Sequence, residues 1–425
     1  MFQSLPPPSR RLILICASII LPFAIEVFLH WRRFDIPRPG HDLDPPFYAG
    51  CQDPAALAAA SNETDRPNAV LVMLARNSDI DDARHTVASV EDKFNRWFNY
   101  PYVFLNDQPW DPEFVRVLNQ TARGNARFDV ISHDDWTYPP SVDKEEARQS
   151  ILEQGQRGIH YGGLESYHHM CRFFSGKFYT HEALQPFKWY WRLEPGVDFS
   201  CSITYDPFAE MARRGKVYGW TISLWEEPNT CPTLFRHVSD WKESQMIPTT
   251  PDSLWTAMIQ ASWLPYPFRR WMRWSPLHDQ YGDVWSLCHY WSNFEIADLD
   301  FFRSRQYQGL FEYLDAKGGF YKERWGDAAV HSLAVGMLAR TDQVHHFSDF
   351  AYRHGSFQQC PANALGEQLE GSIALGDGLY SQEKDGGVGC RCTCDSSKTI
   401  NFPGYCTNKL KQPTRPDRPW LTWFL

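Results

Sequence analysis

The run Ala69-Val70-Leu71-Val72-Met73-Leu74-Ala75 constrains the fold more than any other segment. Seven apolar residues without alternation leave a strand no solvent face, so both sides must be covered, as in the parallel sheets of α/β proteins. Arg76-Asn77 follows as a polar pair at the carboxyl end. Asp79 to Phe98 reads as an amphipathic helix and Tyr102-Val103-Phe104-Leu105-Asn106-Asp107 as a second strand, which closes a β-α-β unit. Ligands of open α/β sheets collect outside the carboxyl ends of the strands, so Arg76, Asn77, Asn106 and Asp107 are the first candidates to meet one.

The pattern turns helical between Ser150 and Tyr179. Phe187 to Leu193 then forms a strand that ends at Glu194, and Lys216 to Trp225 another that ends at Glu226-Glu227. Residues 235–287 are rich in Trp and Pro and weakly periodic, as expected of an insertion with short helices. From residue 361 to 425 Gly, Ser and Cys dominate, which suggests a looped tail tied by disulfides. The folded body is expected over 68–425.

What precedes it reads as an address. Residues 1–11 carry Arg10 and Arg11, and an almost wholly apolar run follows over 12–31, broken by Glu26. A spanning helix needs about 20 such residues, and no small-x-small cleavage pattern follows. An uncleaved signal anchor is therefore expected, with 1–11 cytosolic, 32–67 an exposed stem and the body lumenal. The alternative, a cleaved signal, leaves the same body. Asn62-Glu63-Thr64 and Asn119-Gln120-Thr121 fit the glycosylation acceptor pattern, and ten of the 11 cysteines lie beyond the apolar run, both in keeping with an oxidising lumen. The cluster Cys390-x-Cys392-x-Cys394 lacks zinc-knuckle spacing, so disulfides to Cys360 and Cys406 are expected instead. A formal charge of -9 provides no field for a phosphate backbone, which argues against nucleic acid as a partner.

Carboxylates set among aromatics mark the chemistry: Glu194 behind Trp189-Tyr190-Trp191-Arg192, Glu295 behind Trp291-Ser292-Asn293-Phe294, and Asp327. Such surroundings shift a carboxyl pKa and bind a sugar ring. On residues alone, each of Glu194, Glu226 and His354 is read more readily as a turn, strand-end or surface group, and His331, before Ser332-Leu333-Ala334-Val335, as a hydrogen-bonded core histidine. The ordered succession YHHMCRFFSGKFY, KWYWRLEPGVDFSC, ITYDPFAEM, KVYGWTISLWEE, CHYWSNFEIADLDFFRS and GGFYKERWGDAAVHS, however, resembles the fungal α-1,2-mannosyltransferases of the glycolipid 2-α-mannosyltransferase family. The likeness runs from about residue 68 to 406.

That resemblance implies an α/β, GT-A-like nucleotide-sugar transferase domain with a mixed central sheet behind an N-terminal transmembrane anchor. It implies GDP-mannose as donor, Mn²⁺ as cofactor, retention of configuration, and mannosylated N- or O-linked glycans of cell-wall mannoproteins as acceptors in the Golgi. By the motifs, Glu194 and His354 would hold the metal, with Glu226 a second candidate. Glu295 would be the nucleophile, Asp327 would line the pocket as a further catalytic acid, and Tyr167 would belong to the donor site. Arg76, Arg172 and Asn77 are added as substrate contacts. Three positions depart from the family pattern: His168 replaces an arginine, Ala329 a proline, and Gly196 the aspartate of E-P-D, a loss that Asp198 could offset. Two other classes remain: a retaining glycoside hydrolase with Glu194 and Glu295 as its acid pair, and a catalytically silent mannan-binding protein.

Overall fold

The computed structural model describes residues 10–32, 47–48, 51–61, 66–250, 252–363, 388–395, 400–402 and 405–411. Its strands are β1 (Ala69–Leu74), β2 (Tyr102–Asn106), β3 (Ala126–Val130), β4 (Trp189–Leu193), β5 (Val197–Phe199), β6 (Tyr218–Trp220), β7 (Ser223–Trp225), β8 (Ile259–Gln260), β9 (Val284–Trp285), β10 (Cys288–Tyr290), β11 (Glu295–Asp298), β12 (Val344–His346), β13 (Tyr352–His354), β14 (Phe357–Gln359), β15 (Ala362–Asn363), β16 (Val388–Gly389) and β17 (Ile400–Phe402). Seven of them form the central sheet in the order β12-β6-β11-β4-β1-β2-β3. β1 runs parallel to β2 and β4, whereas β11 is antiparallel to both β4 and β6. The sheet is thus mixed, and β11, an interior strand, enters it at the end from which the parallel strands leave, the carboxyl-end rim or edge of the sheet.

The unalternating run at β1 is explained by two cores. Val70 and Val72 face one with Val103, Leu105 and Tyr190, while Leu71 and Met73 face the other with Tyr102, Phe104 and Trp191. Each fully buried side chain of this size contributes about 1.5–3 kcal/mol of transfer free energy, so neither face of the strand tolerates charge. The expected amphipathic helix is present as Ile80–Val90, which widens into a π-turn at Glu91–Asn95 before a short last turn. Helices Lys144–Gln156 and Glu165–Gly176 occupy the stretch expected to be helical.

Two expectations need correction. Lys216–Trp225 is not one strand, because the chain leaves the central sheet after Trp220 and β7 pairs with β10 in a separate ribbon. Glu226 consequently ends that ribbon rather than a central strand. The segment expected as an exposed stem also holds three buried residues among those described: Phe47 stacks on His345 at 3.7 Å, Cys51 is bonded to Cys390, and Pro54 opens a short helix, Pro54–Ala60. Asn62 and most of the tail beyond residue 363 lie outside the described residues.

The cysteine cluster pairs as Cys51–Cys390, Cys201–Cys392 and Cys360–Cys394, while Cys406 joins Cys288. The expected partner Cys360 is found, but Cys406 bonds outside the cluster. Cys171 and Cys231 are free and buried.

Candidate active site

The sheet edge just described collects the acidic motifs. In the register of β4 and β11, Glu295 lies opposite Arg192. Period-2 alternation sends Arg192 and Tyr190 to the same face as Glu295, and Trp191 and Ile296 to the other. Arg192 is the hub of the site. Its guanidinium is 3.6 Å from the centre of the Phe174 ring and donates to Glu194 Oε1 at 2.7 Å and to Asp327 Oδ2 at 2.5 Å. Ser292, from the loop leading into β11, donates to the same Asp327 oxygen at 2.7 Å. Asp327 opens helix Asp327–Leu338, where the helix dipole also favours a negative charge. Burial pushes its carboxyl up, but the Arg192 charge, His331 and the Ser292 hydroxyl outweigh that and hold it below the ordinary aspartate value.

Glu194 closes β4 and keeps its side chain 29% exposed, so an oxygen can face the cleft. Gly196 follows at φ 81°, a conformation that strains residues with a side chain. This turn swings the chain into β5, where Val197 pairs directly with His354 of β13. The sequence motif of Glu194 and that of His354, 160 positions apart, therefore meet through one turn. The His354 ring stacks on Trp291 with centroids 5.0 Å apart, and its Nδ1 lies 2.5 Å from the Asn293 amide, which also contacts the Tyr352 hydroxyl at 3.0 Å. The amide nitrogen faces Nδ1 and the Tyr352 hydroxyl donates to the amide oxygen, which fixes the ring; with the amide turned over, Nδ1–H would donate and Nε2 would keep a lone pair for a metal.

Among the described residues no group of three or more His, Cys, Asp or Glu could hold a metal ion. One carboxylate and one imidazole nevertheless fit Mn²⁺, an ion that commonly draws its other ligands from substrate phosphates and water. The donor chemistry is compatible with the implied cofactor. Asp198 does not supply a third ligand, since it points to the opposite side of β5 from His354 and is engaged by His85, Arg353 and two serines. Glu226 is also spent: it is buried, accepts from Arg324 at 2.8 Å and from Thr230, and so is removed from metal candidacy.

Glu295 departs furthest from its expected place. It is 0% exposed, and its carboxylate accepts from Tyr190 at 2.5 Å and Tyr218 at 2.8 Å, with His331 Nδ1 at 3.0 Å. His331 Nε2 lies 2.8 Å from the Phe174 carbonyl, so it must be the donor there, and a second N–H toward Glu295 makes the ring an imidazolium. Burial works against that charge, but Glu295 and Asp327 win and raise the His331 pKa. A carboxylate enclosed in this way faces a proton network instead of an open cleft. The core assignment of His331 agrees with its burial.

Tyr167 sits in the first turn of helix Glu165–Gly176, its ring against Tyr161 at 4.8 Å and its hydroxyl 3.5 Å from Arg324. Burial, then the neighbouring Cys171, keep its phenol protonated far above the usual range. Arg76 is exposed at the end of β1 and donates to Ser166, next to Tyr167. Asn77 is a strap: its amide bonds the Pro109 carbonyl and the Asp111 N–H, fixing the loop after β2. Arg172 is not available to a phosphate as expected. Five residues beyond Tyr167, it turns to another side of the helix and clamps Asp315 with two bonds of 2.8 Å plus the Thr137 carbonyl. Arg192 and Arg324 were missed, although an arginine inside an otherwise apolar aromatic strand was the signal for the first.

The mixed α/β sheet thus gathers Glu194 and Asp327 on Arg192 near the ends of its parallel strands, with the His354 strand one turn away, an arrangement of the kind nucleotide-sugar enzymes use. The match to the glycolipid 2-alpha-mannosyltransferase family covers residues 52–371, and the chain belongs to that family. It is 41% identical over 404 residues to O-glycoside alpha-1,2-mannosyltransferase homolog 5 of Schizosaccharomyces pombe, covering 89% of this chain and 86% of that protein. Homolog 4 of the same organism is 39% identical over 385 residues, covering 83% and 84%. Among solved structures, Core-mannan synthase A from Aspergillus fumigatus in its Mn/GDP form is similar with a TM-score of 0.67 and 31% identity, covering 88% of this chain and 90% of the other. The mannosyltransferase Ktr4p from S. cerevisiae in complex with GDP gives 0.68 and 30%, covering 92% and 89%.

Because the Asn293 amide fixes the His354 ring, Asn293→Ala is expected to weaken Mn²⁺ binding by about 10–100-fold, as loss of a group orienting a metal-bound histidine does elsewhere. Titration of free Mn²⁺ by electron paramagnetic resonance checks this without turnover. Gly196→Ala should cost about 1–2 kcal/mol from its left-handed φ. Space is open there, the nearest side-chain atom to an added Cβ being 3.8 Å away, so a denaturant midpoint reads backbone strain alone.

Proposed function

We propose that the chain is a retaining α-1,2-mannosyltransferase with a GT-A-like fold that moves mannose from GDP-mannose to the 2-hydroxyl of a mannoside on N- or O-linked glycans. The observation that carries this is Arg192 holding Glu194 and Asp327 together at the sheet edge beside the turn to His354. Supporting it are the Mn/GDP and GDP states named for the similar structures and the α-1,2-mannosyltransferase names of the relatives.

Glu194 and the Nε2 of His354 would hold Mn²⁺, which when bound neutralises the diphosphate and helps GDP depart. Arg192 holds the Glu194 carboxylate in place, so it is preorganised before donor arrives. Tyr167, with its protonated hydroxyl, and Arg76, bonded to the neighbouring Ser166, would suit a donor's hydroxyls and phosphate. Glu295, enclosed by Tyr190, Tyr218 and His331, cannot reach an anomeric carbon in this arrangement. Attack by the acceptor hydroxyl on the face that GDP leaves then fits better than a covalent mannosyl–Glu295 intermediate, with Glu295 supplying a fixed negative charge behind the site. The same enclosure removes the acid pair a hydrolase would need.

The decisive experiment incubates the full chain in detergent with GDP-mannose, Mn²⁺ and methyl α-mannoside. An α-1,2-linked disaccharide, absent after chelation and restored by Mn²⁺, is the expected product; release of free mannose alone, or no product from folded protein, sinks the proposal. Localisation in the Golgi membrane as a single-pass protein with the body in the lumen is part of the same proposal, supported by the four disulfides. Among the described residues no helix is long and apolar enough to cross a membrane.

A further inference from the structure

Residues 261–278 contain three tryptophans and three arginines and no acidic residue, in a chain whose net charge is -9. They fold as a short helix, Phe268–Trp271, and a following turn, Met272–Trp274. Trp271 and Trp274 are 66% and 79% exposed, Trp263 61%, and Arg270 and Arg273 are exposed beside them. A soluble surface rarely carries so many large aromatics together unless something covers them.

The last turns of the N-terminal helix Arg10–Arg32 pack on this segment. Phe23, Glu26, His30 and Trp31, spaced along one helical face, meet Phe268 at 5.9 Å, Arg269 at 2.7 Å, Asp283 at 2.9 Å and Trp263 at 4.4 Å. Glu26, the residue least suited to an apolar run, is thereby paired with Arg269 and also accepts from the Tyr266 N–H. Ahead of the packed end, Ile19, Ile20 and Leu21 are 55–63% exposed.

Length decides what this arrangement can do. Residues 10–22 span about 20 Å at 1.5 Å per residue, short of the roughly 30 Å hydrocarbon core of a bilayer. If residues 10–22 enter lipid, the packed end and the aromatic segment bonded to it must come to the headgroup level with them. We propose that Trp263, Trp271 and Trp274 with Arg270 and Arg273 form a platform that lies on a phospholipid surface beside the N-terminal helix. Exposed tryptophans suit that interface, where a ring can be half in hydrocarbon and half in water, and the arginines meet lipid phosphates. The platform would fix how the catalytic body sits on the membrane, which a single helix cannot do. The proposal rests on the membrane attachment suggested above and not on the transferase chemistry.

The test places one spin label on the full chain in a Cys16→Ser background, at Trp274→Cys, at Ile20→Cys, or at Glu113→Cys on the helix beside the opposite edge strand. The protein is reconstituted in phosphatidylcholine–phosphatidylglycerol vesicles, and accessibility to oxygen and to a water-soluble nickel chelate is compared. The ratio at 274 should exceed that at 113 several-fold, and Arg270→Glu/Arg273→Glu should bring it back toward the aqueous value. Mannosyl transfer in detergent should be unchanged in all variants, which controls for folding. An aqueous label at 274 with a lipid-buried label at 20 overturns the platform while leaving the helix anchored; aqueous labels at both overturn attachment altogether. Dipolar broadening between labels at 274 would assign the patch to a second copy of the chain, and immobilisation of that label by mannoside without lipid would assign it to acceptor, either of which refutes the proposal.

Discussion

Arg192→Leu should lower the stability of the protein by about 3–5 kcal/mol, the usual cost of leaving a buried carboxylate without its partner. The site predicts this directly, because Asp327 is almost fully buried and its partners are Arg192 and Ser292. In an Asp327→Asn background the same substitution should cost distinctly less, and that difference is the coupling energy of the pair. Arg192→Lys should recover little, since a single ammonium cannot reach Glu194 and Asp327 at once as the guanidinium fork does. Acid titration gives a second handle. The Asp327 pKa is depressed on folding, so its contribution is present above the unfolded value near 3.9 and is lost as pH falls through the folded one. Wild type should therefore lose stability more steeply than Asp327→Asn below about pH 4. Equal acid slopes would mean that Arg192 does not hold Asp327 ionised.

Glu295 supports the other large prediction. Glu295→Leu removes the acceptor of two tyrosine hydroxyls and the counter-charge of His331, and should also cost about 3–5 kcal/mol. Glu295→Gln is the informative change. If the carboxylate acts as a buried charge, kcat should fall by about tenfold, the equivalent of 1.4 kcal/mol, with the fold retained. A nucleophile replaced by an amide would lose about 10⁴-fold or more. The pH dependence of stability separates the roles further. The His331 pKa is raised on folding, so it stabilises below its unfolded value near 6.5 and the contribution disappears as pH rises through the folded value. That alkaline loss should be present in wild type and absent in Glu295→Gln. A loss of four orders of magnitude in kcat, together with a trapped mannosyl-enzyme in wild type, would return Glu295 to the role its motif implied.

The contrast between these two residues shows what the sequence carried. The sheet was legible because β1 has no polar side, a pattern that only a strand covered on both faces needs. Glu194 and Asp327 could be placed at its edge because strand ends and helix starts announce themselves with Pro, Gly and acidic residues. Burial of a particular oxygen is not written in a local window. Glu295 and Glu194 carry similar aromatic neighbours in sequence, yet Glu295 lies within the sheet, caged by Tyr190, Tyr218 and His331, whereas Glu194 lies just past the end of its strand at a turn. Arg172 failed for the same reason: its partner Asp315 lies 143 residues on, beyond the reach of any periodicity. Arg324 and Asn293 were invisible because each acts through a partner brought in by tertiary packing.

The bond between Cys51 and Cys390 spans 339 residues. At a synthesis rate of about 5–20 residues per second, Cys51 waits roughly 20–70 s as a lone thiol before its mate exists. Cys201 and Cys288 face shorter delays of the same kind, so premature pairing among these early thiols is the hazard the nascent chain must survive. Closure of this bond thus waits until residue 390 has been made, and a truncation that spares every catalytic side chain but drops Cys390 to Cys406 should yield protein that is retained and degraded rather than delivered.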